Sequence, residues 1–101
     1  MIILEEGNTQ KKTKHLFLTH HWFDEILKGR KNVEYREVKM TRKPEHYCVG
    51  DTIVFHRGYT STTTSKTIKG MVLMTHSKLP EAERNFFKGK ENSFFIAIEF
   101  I

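Results

Sequence analysis

Hydrophobic and polar positions in the first part of the chain change their period twice. Residues 15–18 form a mostly apolar run, which predicts a buried strand. Apolar residues then recur at i, i+1, i+4 and i+5 from Trp22 to Leu27, which is one face of a helix. Thr19 can cap this helix, and Gly29 supplies a left-handed stop. A strand followed by a short amphipathic helix is therefore expected here.

Directly after this helix, residues 32–38 alternate in polarity as a strand does. Val33 and Tyr35 point to one side of the strand, whereas Glu34 and Arg36 point to the other. The second side carries a carboxylate and a guanidinium two residues apart. It is therefore either an exposed face or the wall of a polar cleft.

The rest of the chain predicts three more strands and a second helix. A tight turn at residues 49–51 leads into a strand, and a polar hairpin tip follows it. Pro80 suits the first turn of the second helix, which Gly89 ends. The strands are expected at residues 52–56, 67–75 and 93–101, the hairpin tip at residues 58–65, and Ala82, Phe86 and Phe87 on the inner face of the helix.

Five strands and two helices in about ninety residues favour a small α+β fold, a partly closed β-barrel flanked by helices. An open α+β sandwich of the same elements is the alternative. A chain of 101 residues has room for one core, so one domain is expected. We assign residues 14–101 to this domain, residues 1–13 to an N-terminal segment that is frayed or lies across the surface, and residues 39–47 to a basic loop.

Positive charge is concentrated in one third of the sequence. The whole chain carries a net charge of +5, and residues 11–43 hold ten Lys or Arg against four acidic residues, or +6. A basic segment attracts polyanions by counterion release, so nucleic acid is the first partner to consider. The alternative is a basic surface that serves only solubility.

Several other classes of protein are disfavoured by composition. The longest strongly apolar run, residues 94–98, is far shorter than a membrane span, so no membrane association is expected. A single cysteine, Cys48, excludes an internal disulfide framework and indicates a cytoplasmic protein. The six histidines are dispersed without ligand spacing, so we expect neither a metal nor another cofactor. The sequence leaves the oligomeric state open between a monomer and a weak dimer.

Three ionisable side chains lie within six residues after the first helix. Lys31 and Arg36 could fix an anion, while Glu34 orients them or accepts an N–H from a ligand. In a dry cleft Glu34 could also act as a general base. The alternative is an ordinary salt bridge on a solvated face, which contributes little to stability. Spacing alone leaves both interpretations open.

The pattern Gly29-x-Lys31-x-x-Glu34-x-Arg36 resembles the signature of the ASCH domain, a family of the PUA-like superfamily. The order of elements around it is similar as well, with an aromatic-rich helix before the pattern and a Gly-Asp turn after it. The resemblance covers residues 14–101. It implies a PUA-like β-barrel of about five to six mostly antiparallel strands with two flanking helices. It also implies that the signature residues build a cleft for RNA, or for a nucleotide or modified nucleoside.

Some small bacterial proteins of this family are amidohydrolases that remove the acetyl group from acetylcytidine. They use the signature lysine, a threonine three residues later, and a glutamate before the last strand. Here the resemblance implies Lys31 as the lysine, places Glu34 where the threonine would be, and leaves Glu81 or Glu83 as the distal acid, with Glu83 favoured. Without the hydroxyl, a covalent acyl route is closed, and Glu34 would have to activate water. The candidate catalytic residues are therefore Lys31, Glu34 and Glu83.

The hairpin tip offers a second group of candidates. One aromatic residue, Tyr59, and two basic ends, Arg57 and Lys66, suit base stacking and phosphate contacts. The alternative for the tip is a flexible, solvated loop. For the whole domain, a third hypothesis is a protein-interaction module. Together the candidate ligand-binding or nucleic-acid-binding residues are Gly29, Arg30, Lys31, Glu34, Arg36, Arg57, Tyr59 and Lys66.

Overall fold

Short strands and two helices follow one another along the chain, as the polarity pattern predicts. The computed structural model describes residues 2–5, 12–38 and 45–101. Within them a short 3-10 turn, His76–Lys78, leads from the longest strand towards the second helix. The elements are β1 (Ile2–Glu5), β2 (Thr13–Leu18), α1 (His20–Leu27), β3 (Val33–Glu37), β4 (Glu45–Cys48), β5 (Thr52–Arg57), β6 (Thr63–Thr75), α2 (Glu81–Phe86) and β7 (Phe94–Phe100).

The main sheet has five strands in the order β2-β5-β6-β7-β3. The pair β2 and β5 is parallel, and the other three pairs are antiparallel. The sheet curls into a half-barrel, which confirms the predicted small, mostly antiparallel barrel with two helices. The strands β1 and β4 form a separate parallel pair.

The core fills the concave side of this sheet. Phe55 on β5 and Phe100 on β7 are both buried, with ring centroids 5.1 Å apart. Four consecutive residues of β7, from Phe95 to Ile98, are buried on both faces of the strand. Burial of each large apolar side chain contributes roughly 1.5–3 kcal/mol. The closing strand is therefore a central element of the sheet, between β6 and β3.

Helix α1 packs on this core through Phe23 and Ile26, both fully buried. The Thr19 side chain accepts a hydrogen bond from the Trp22 backbone amide, so the predicted cap is confirmed. Leu27, in contrast, was predicted on the inner face and is 56% exposed. One residue after Ile26 the helix has turned by roughly 100°, which carries Leu27 away from the core.

The second helix differs from its prediction in length and in orientation. It covers Glu81–Phe86 rather than reaching residue 88, and Pro80 lies at its N-cap. Ala82 and Phe86 were expected to face inward and are exposed, whereas the acidic Glu83 is buried. Phe87, the third residue expected inside, is half-buried, with its ring 4.8 Å from that of the buried Phe95. The predicted inner face is wrong for Ala82 and Phe86 and confirmed for Phe87, because Glu83 turns inward with Phe87 and pairs with Lys31 in the turn after α1.

Smaller differences concern the ends of the strands. Residues 2–5 and 45–48 form the pair β1 and β4. The sequence predicts an N-terminal segment that is frayed or lies across the surface, and a loop that includes residues 45–47. Strand β2 begins at Thr13 and β6 at Thr63, earlier than expected. The rest of both predicted segments, residues 1, 6–11 and 39–44, lies outside the described residues. The domain boundary at residue 14 stays a prediction. Among the described helices, none combines the length and the apolar character that a membrane span requires.

The turn at residues 49–51 is confirmed and has a buried carboxylate as its anchor. The Asp51 side chain accepts hydrogen bonds from the backbone amides of Lys12, at 3.0 Å, and Cys48, at 3.2 Å. Gly50 takes a positive φ of 95°, which a residue with a side chain rarely adopts. Asp51 therefore joins the end of β4 to the start of β2 and has a structural role.

Substitution of the helix anchor tests this packing. We expect Phe23→Ala to lower the free energy of unfolding by about 3–5 kcal/mol, because it leaves a cavity under α1. Leu27→Ala, on the exposed side of the same helix, should change it by less than about 1 kcal/mol. Urea denaturation followed by circular dichroism measures both. Equal losses in the two variants would contradict the observed orientation of α1.

Candidate ligand-binding cleft

The turn after α1 is held against the helix by backbone hydrogen bonds, two of which share one carbonyl group. The backbone amides of Arg30 and Lys31 both donate to the Glu25 carbonyl oxygen, at 2.9 and 3.1 Å. Gly29 has a φ of 76°, which allows the chain to reverse at this point. The Arg30 guanidinium also pairs with the Glu25 carboxylate at 2.9 Å. These contacts fix the position from which the Lys31 side chain extends.

Lys31 reaches a nearly enclosed position between two carboxylates. Its Nζ lies 3.7 Å from Glu34 Oε1 and 3.7 Å from Glu83 Oε2, and its side chain is only 11% exposed. The ammonium group also lies over two rings, 4.9 Å from the centroid of Trp22 and 5.3 Å from that of Tyr35. Carboxylates and ring faces both stabilise a cation, so they offset the cost of removing it from water.

Arg36 completes a cluster of four charges with Lys31, Glu34 and Glu83. Its Nη1 lies 3.8 Å from Glu34 Oε2, and a third of its side chain is exposed. The predicted alternation along β3 is confirmed, because Glu34 and Arg36 share one side of the strand. Two cations and two carboxylates make the cluster neutral, which is the condition under which such charges are tolerated away from water.

A pocket of about 260 Å³ opens beside Lys31. Trp22, Val33 and Tyr35 supply its apolar and aromatic walls, while Glu83 brings a carboxylate to it. Glu34 connects to this pocket through Lys31. The volume lies just below the range typical of drug-sized ligands, so it suits a single ring with a small substituent. The full lining is Trp22, Glu25, Arg30, Lys31, Asn32, Val33, Tyr35, Pro80, Ala82 and Glu83.

Burial raises the pKa of the Glu34 carboxyl above its usual value of 4.5. The neighbouring Lys31 and Arg36 oppose the shift, and the negative charge of Glu83 adds to it. Burial likewise raises the pKa of the Tyr35 phenol. A carboxyl with a raised pKa exchanges a proton more readily near neutral pH, which is the property of a general acid or base.

The structure brings together the residues on which the sequence argument concentrated. Lys31, Glu34, Glu83 and Arg36 form one cluster, and Gly29 and Arg30 lead into it. Of the two distal acids considered, Glu81 is exposed and Glu83 is buried against Lys31. Whether any of them binds a ligand or takes part in catalysis stays a prediction.

None of the three hairpin-tip candidates lines the pocket. The Arg57 guanidinium donates two hydrogen bonds to the Asp24 carboxylate, at 2.9 and 3.2 Å. Tyr59 is almost fully exposed, and Lys66 stands opposite Ile53 in the register of β5 and β6. Whether these three residues bind a ligand stays a prediction.

Two pocket residues were missed by the sequence argument, which assigned Trp22 and Tyr35 to apolar faces. Both rings contact the Lys31 ammonium and face the pocket. The sequence feature that could have identified them is an aromatic residue on α1 and another on β3, with Lys31 between the two elements. Across the described part of the chain, no group of three or more His, Cys, Asp or Glu residues could hold a metal ion.

Comparison with solved structures identifies the same fold in ASCH-domain proteins. An ASCH protein of Zymomonas mobilis superposes with a TM-score of 0.62 and 17% identity, covering 88% of this chain and 66% of that one. A tyrosine-to-phenylalanine mutant of the Zymomonas mobilis protein superposes with a TM-score of 0.63 and 17% identity, covering 89% of this chain and 69% of that one. The hypothetical protein PH0355 superposes with a TM-score of 0.59 and 17% identity, covering 87% of this chain and 96% of that one. The resemblance to the ASCH domain is thus confirmed at the level of the fold. No family model and no curated protein matches the sequence.

The raised pKa of Glu34 predicts a specific dependence of stability on pH. The native protein holds the Glu34 proton more tightly than the unfolded chain, so its stability falls as pH rises through the window that begins near 4.5. Glu34→Gln should remove this part of the decline. Urea unfolding between pH 4 and about 7.5 measures it.

Glu81→Gln is the matched control, because Glu81 is an exposed acid on α2. We expect its stability profile to follow that of the wild type. A Glu34→Gln profile that also follows the wild type would show that Glu34 titrates alike in the folded and unfolded states.

Proposed function

We propose that the cleft binds the base of an RNA chain or of a nucleotide-like ligand. The observation that supports this most directly is the position of Lys31, enclosed by Glu34 and Glu83 and lying over the rings of Trp22 and Tyr35. The resemblance to the ASCH domain, confirmed at the level of the fold, points in the same direction.

The chemistry of the pocket walls suits a nucleobase. A flat ring can stack on Trp22 or Tyr35, and single-stranded bases are commonly held in this way. The edge of a base presents both acceptors and donors of hydrogen bonds. Lys31 can donate to a ring carbonyl, and the Glu83 carboxylate can accept from an exocyclic amino group. A pocket with an ammonium and a carboxylate side by side therefore matches both kinds of group.

Two arginines can extend this contact to a phosphate. The Arg30 side chain is largely exposed and lines the pocket, and Arg36 is partly exposed beside Glu34. A guanidinium binds phosphate oxygens in a bidentate geometry, which suits the backbone next to a bound base. The surrounding basic segment would attract the polyanion from a distance.

Binding of a short RNA tests the proposal. Lys31→Ala and Arg36→Ala should each weaken binding about tenfold, because each removes a cation from the cleft, and affinity should fall steeply with added salt. Fluorescence anisotropy with a labelled oligoribonucleotide at two salt concentrations measures both effects. Lys90→Ala removes an exposed lysine outside the pocket and is the control for net charge. Salt-insensitive binding, or equal affinity in all variants, would contradict the proposal.

One contact favours a second candidate function, the hydrolysis of an amide. In this contact Lys31 Nζ lies 3.7 Å from Glu83 Oε2. The same cleft could hydrolyse the acetyl amide of acetylcytidine. A carboxylate, Glu34 or Glu83, would take a proton from water as the hydroxide oxygen bonds to the amide carbon. Lys31 would stabilise the resulting oxyanion. The C–N bond then breaks, the carboxyl returns its proton to the departing amine, and acetate and cytidine are released.

Product analysis distinguishes hydrolysis from binding alone. If the cleft is catalytic, the wild type releases cytidine from acetylcytidine, and Glu83→Gln lowers the rate about 100-fold or more because a general base is lost. The Glu81→Gln variant should keep the wild-type rate, since that acid is exposed. Chromatography of the nucleosides at high protein concentration measures the rate. Release no faster than in buffer would exclude this substrate and leave the binding proposal unaffected.

A further inference from the structure

The convex side of the sheet carries a row of rings that the cleft does not use. Alternation along β2 and β5 places Leu16 and Phe55 in the core, so their neighbours Phe17 and His56 point outward. Phe17 stands directly opposite His56 in the parallel register. We call the outward group of Phe17, His56 and Tyr59 the aromatic face.

The rings of the aromatic face contact one another in sequence. The centroids of Phe17 and His56 are 4.4 Å apart in a stacked arrangement, and those of Phe17 and Tyr59 are 5.5 Å apart. His15 extends the row, with its Nδ1 2.8 Å from His56 Nε2. Phe17 is nevertheless 53% exposed and Tyr59 96% exposed. The rings support one another while keeping large areas open to solvent.

The exposed tyrosine sits on a well-anchored turn. The Gly58 amide donates to the Leu18 carbonyl at 2.8 Å, and the Thr60 hydroxyl donates to the Arg57 carbonyl at 2.6 Å. Gly58 has a φ of 57°, and a Cβ there would lie 3.1 Å from the His20 ring. Because the turn is fixed at both ends, Tyr59 is presented to solvent by the fold rather than by a loose loop.

Charge on the three strands around the aromatic face has one sign. The strands β2, β5 and β6 contain no Asp or Glu. Two exposed hydroxyl residues, Thr63 and Ser65, lie opposite His56 and Val54 on this side. A surface of rings and hydroxyls without carboxylates is complementary to a chain of phosphates with exposed bases. The basic residues of these strands are Lys14, Arg57, Lys66 and Lys69. Lys14 and Lys66 stand opposite the buried Ile53, on the inner side, and Arg57 is paired with Asp24, so these three are not part of the aromatic face.

We propose that the aromatic face is a second nucleic-acid contact, on which successive bases of a single strand stack. It goes beyond the cleft, because it lies on β2 and β5, at the other end of the strand order from β3, and uses none of the cleft residues. Rings on a β-sheet are a common platform for single-stranded bases, and Tyr59, Phe17 and His56 offer three in a row. The absence of acids on β2, β5 and β6 favours a polyanion over a basic protein segment as the occupant.

Anisotropy with a labelled oligoribonucleotide of about twelve residues, long enough to pass from one surface to the other, tests the proposal. Phe17→Ala and Tyr59→Ala should each weaken binding about tenfold. Tyr59→Phe keeps the ring and should keep the affinity. Phe94→Ala removes an equally exposed ring at the far end of β6 and β7 and should have no effect. An abasic oligomer of the same length keeps the phosphates without the bases, so Phe17→Ala should bind it as the wild type does.

The cleft and the aromatic face give separable outcomes in this experiment. Binding of a single nucleoside should depend on Lys31 and not on Phe17. If the oligomer loses affinity with Lys31→Ala but not with Phe17→Ala or Tyr59→Ala, the aromatic face is excluded and the cleft stands. A concentration-dependent dimer that Phe17→Ala dissociates, with unchanged RNA affinity, would also overturn the proposal by assigning the face to self-association.

Discussion

The enclosed ammonium group of Lys31 determines how the elements around the cleft are placed. A cation with so little exposure requires partners, and it finds them on three elements: Trp22 on α1, Glu34 on β3 and Glu83 on α2. The rotation of α2 follows from this requirement, since its acidic residue turns inward while Phe86 stays exposed. The cluster therefore links the end of one helix, an edge strand and the second helix around a single charge.

The same charges would serve binding and hydrolysis, and the two functions differ in where one proton resides. A recognition site needs Glu34 and Glu83 as stable acceptors beside Lys31. A hydrolytic site needs one of them to take a proton from water and release it later. Burial, which raises the pKa of Glu34, brings that carboxyl closer to the second condition than an exposed acid would be. The geometry of the cleft is compatible with binding and with hydrolysis, so the two functions are distinguished by whether a carboxyl of the cluster accepts and releases a proton.

Local pattern in the sequence was sufficient for α1, for the alternation of β3 and for the turn at Asp51, because period and capping act over a few residues. It failed for Leu27 and Phe86, where the direction of a side chain depends on which neighbour the helix meets. The contact between Lys31 and Glu83 joins residues 52 positions apart, and only the resemblance to a family indicated it. Of the aromatic face only Tyr59 was singled out from the sequence, since the parallel pairing of β2 with β5 decides that Phe17 and His56 meet beside it.

The ion pair between Arg57 and Asp24 has a further consequence. Asp24 belongs to α1, next to Glu25 and two residues from Trp22, which line the pocket. Arg57 immediately precedes the turn that presents Tyr59. The ion pair therefore joins the helix that carries part of the pocket lining to the turn that presents Tyr59. If one nucleic-acid strand contacts both surfaces, as proposed, the length of its linking segment must match the distance between the pocket and Tyr59.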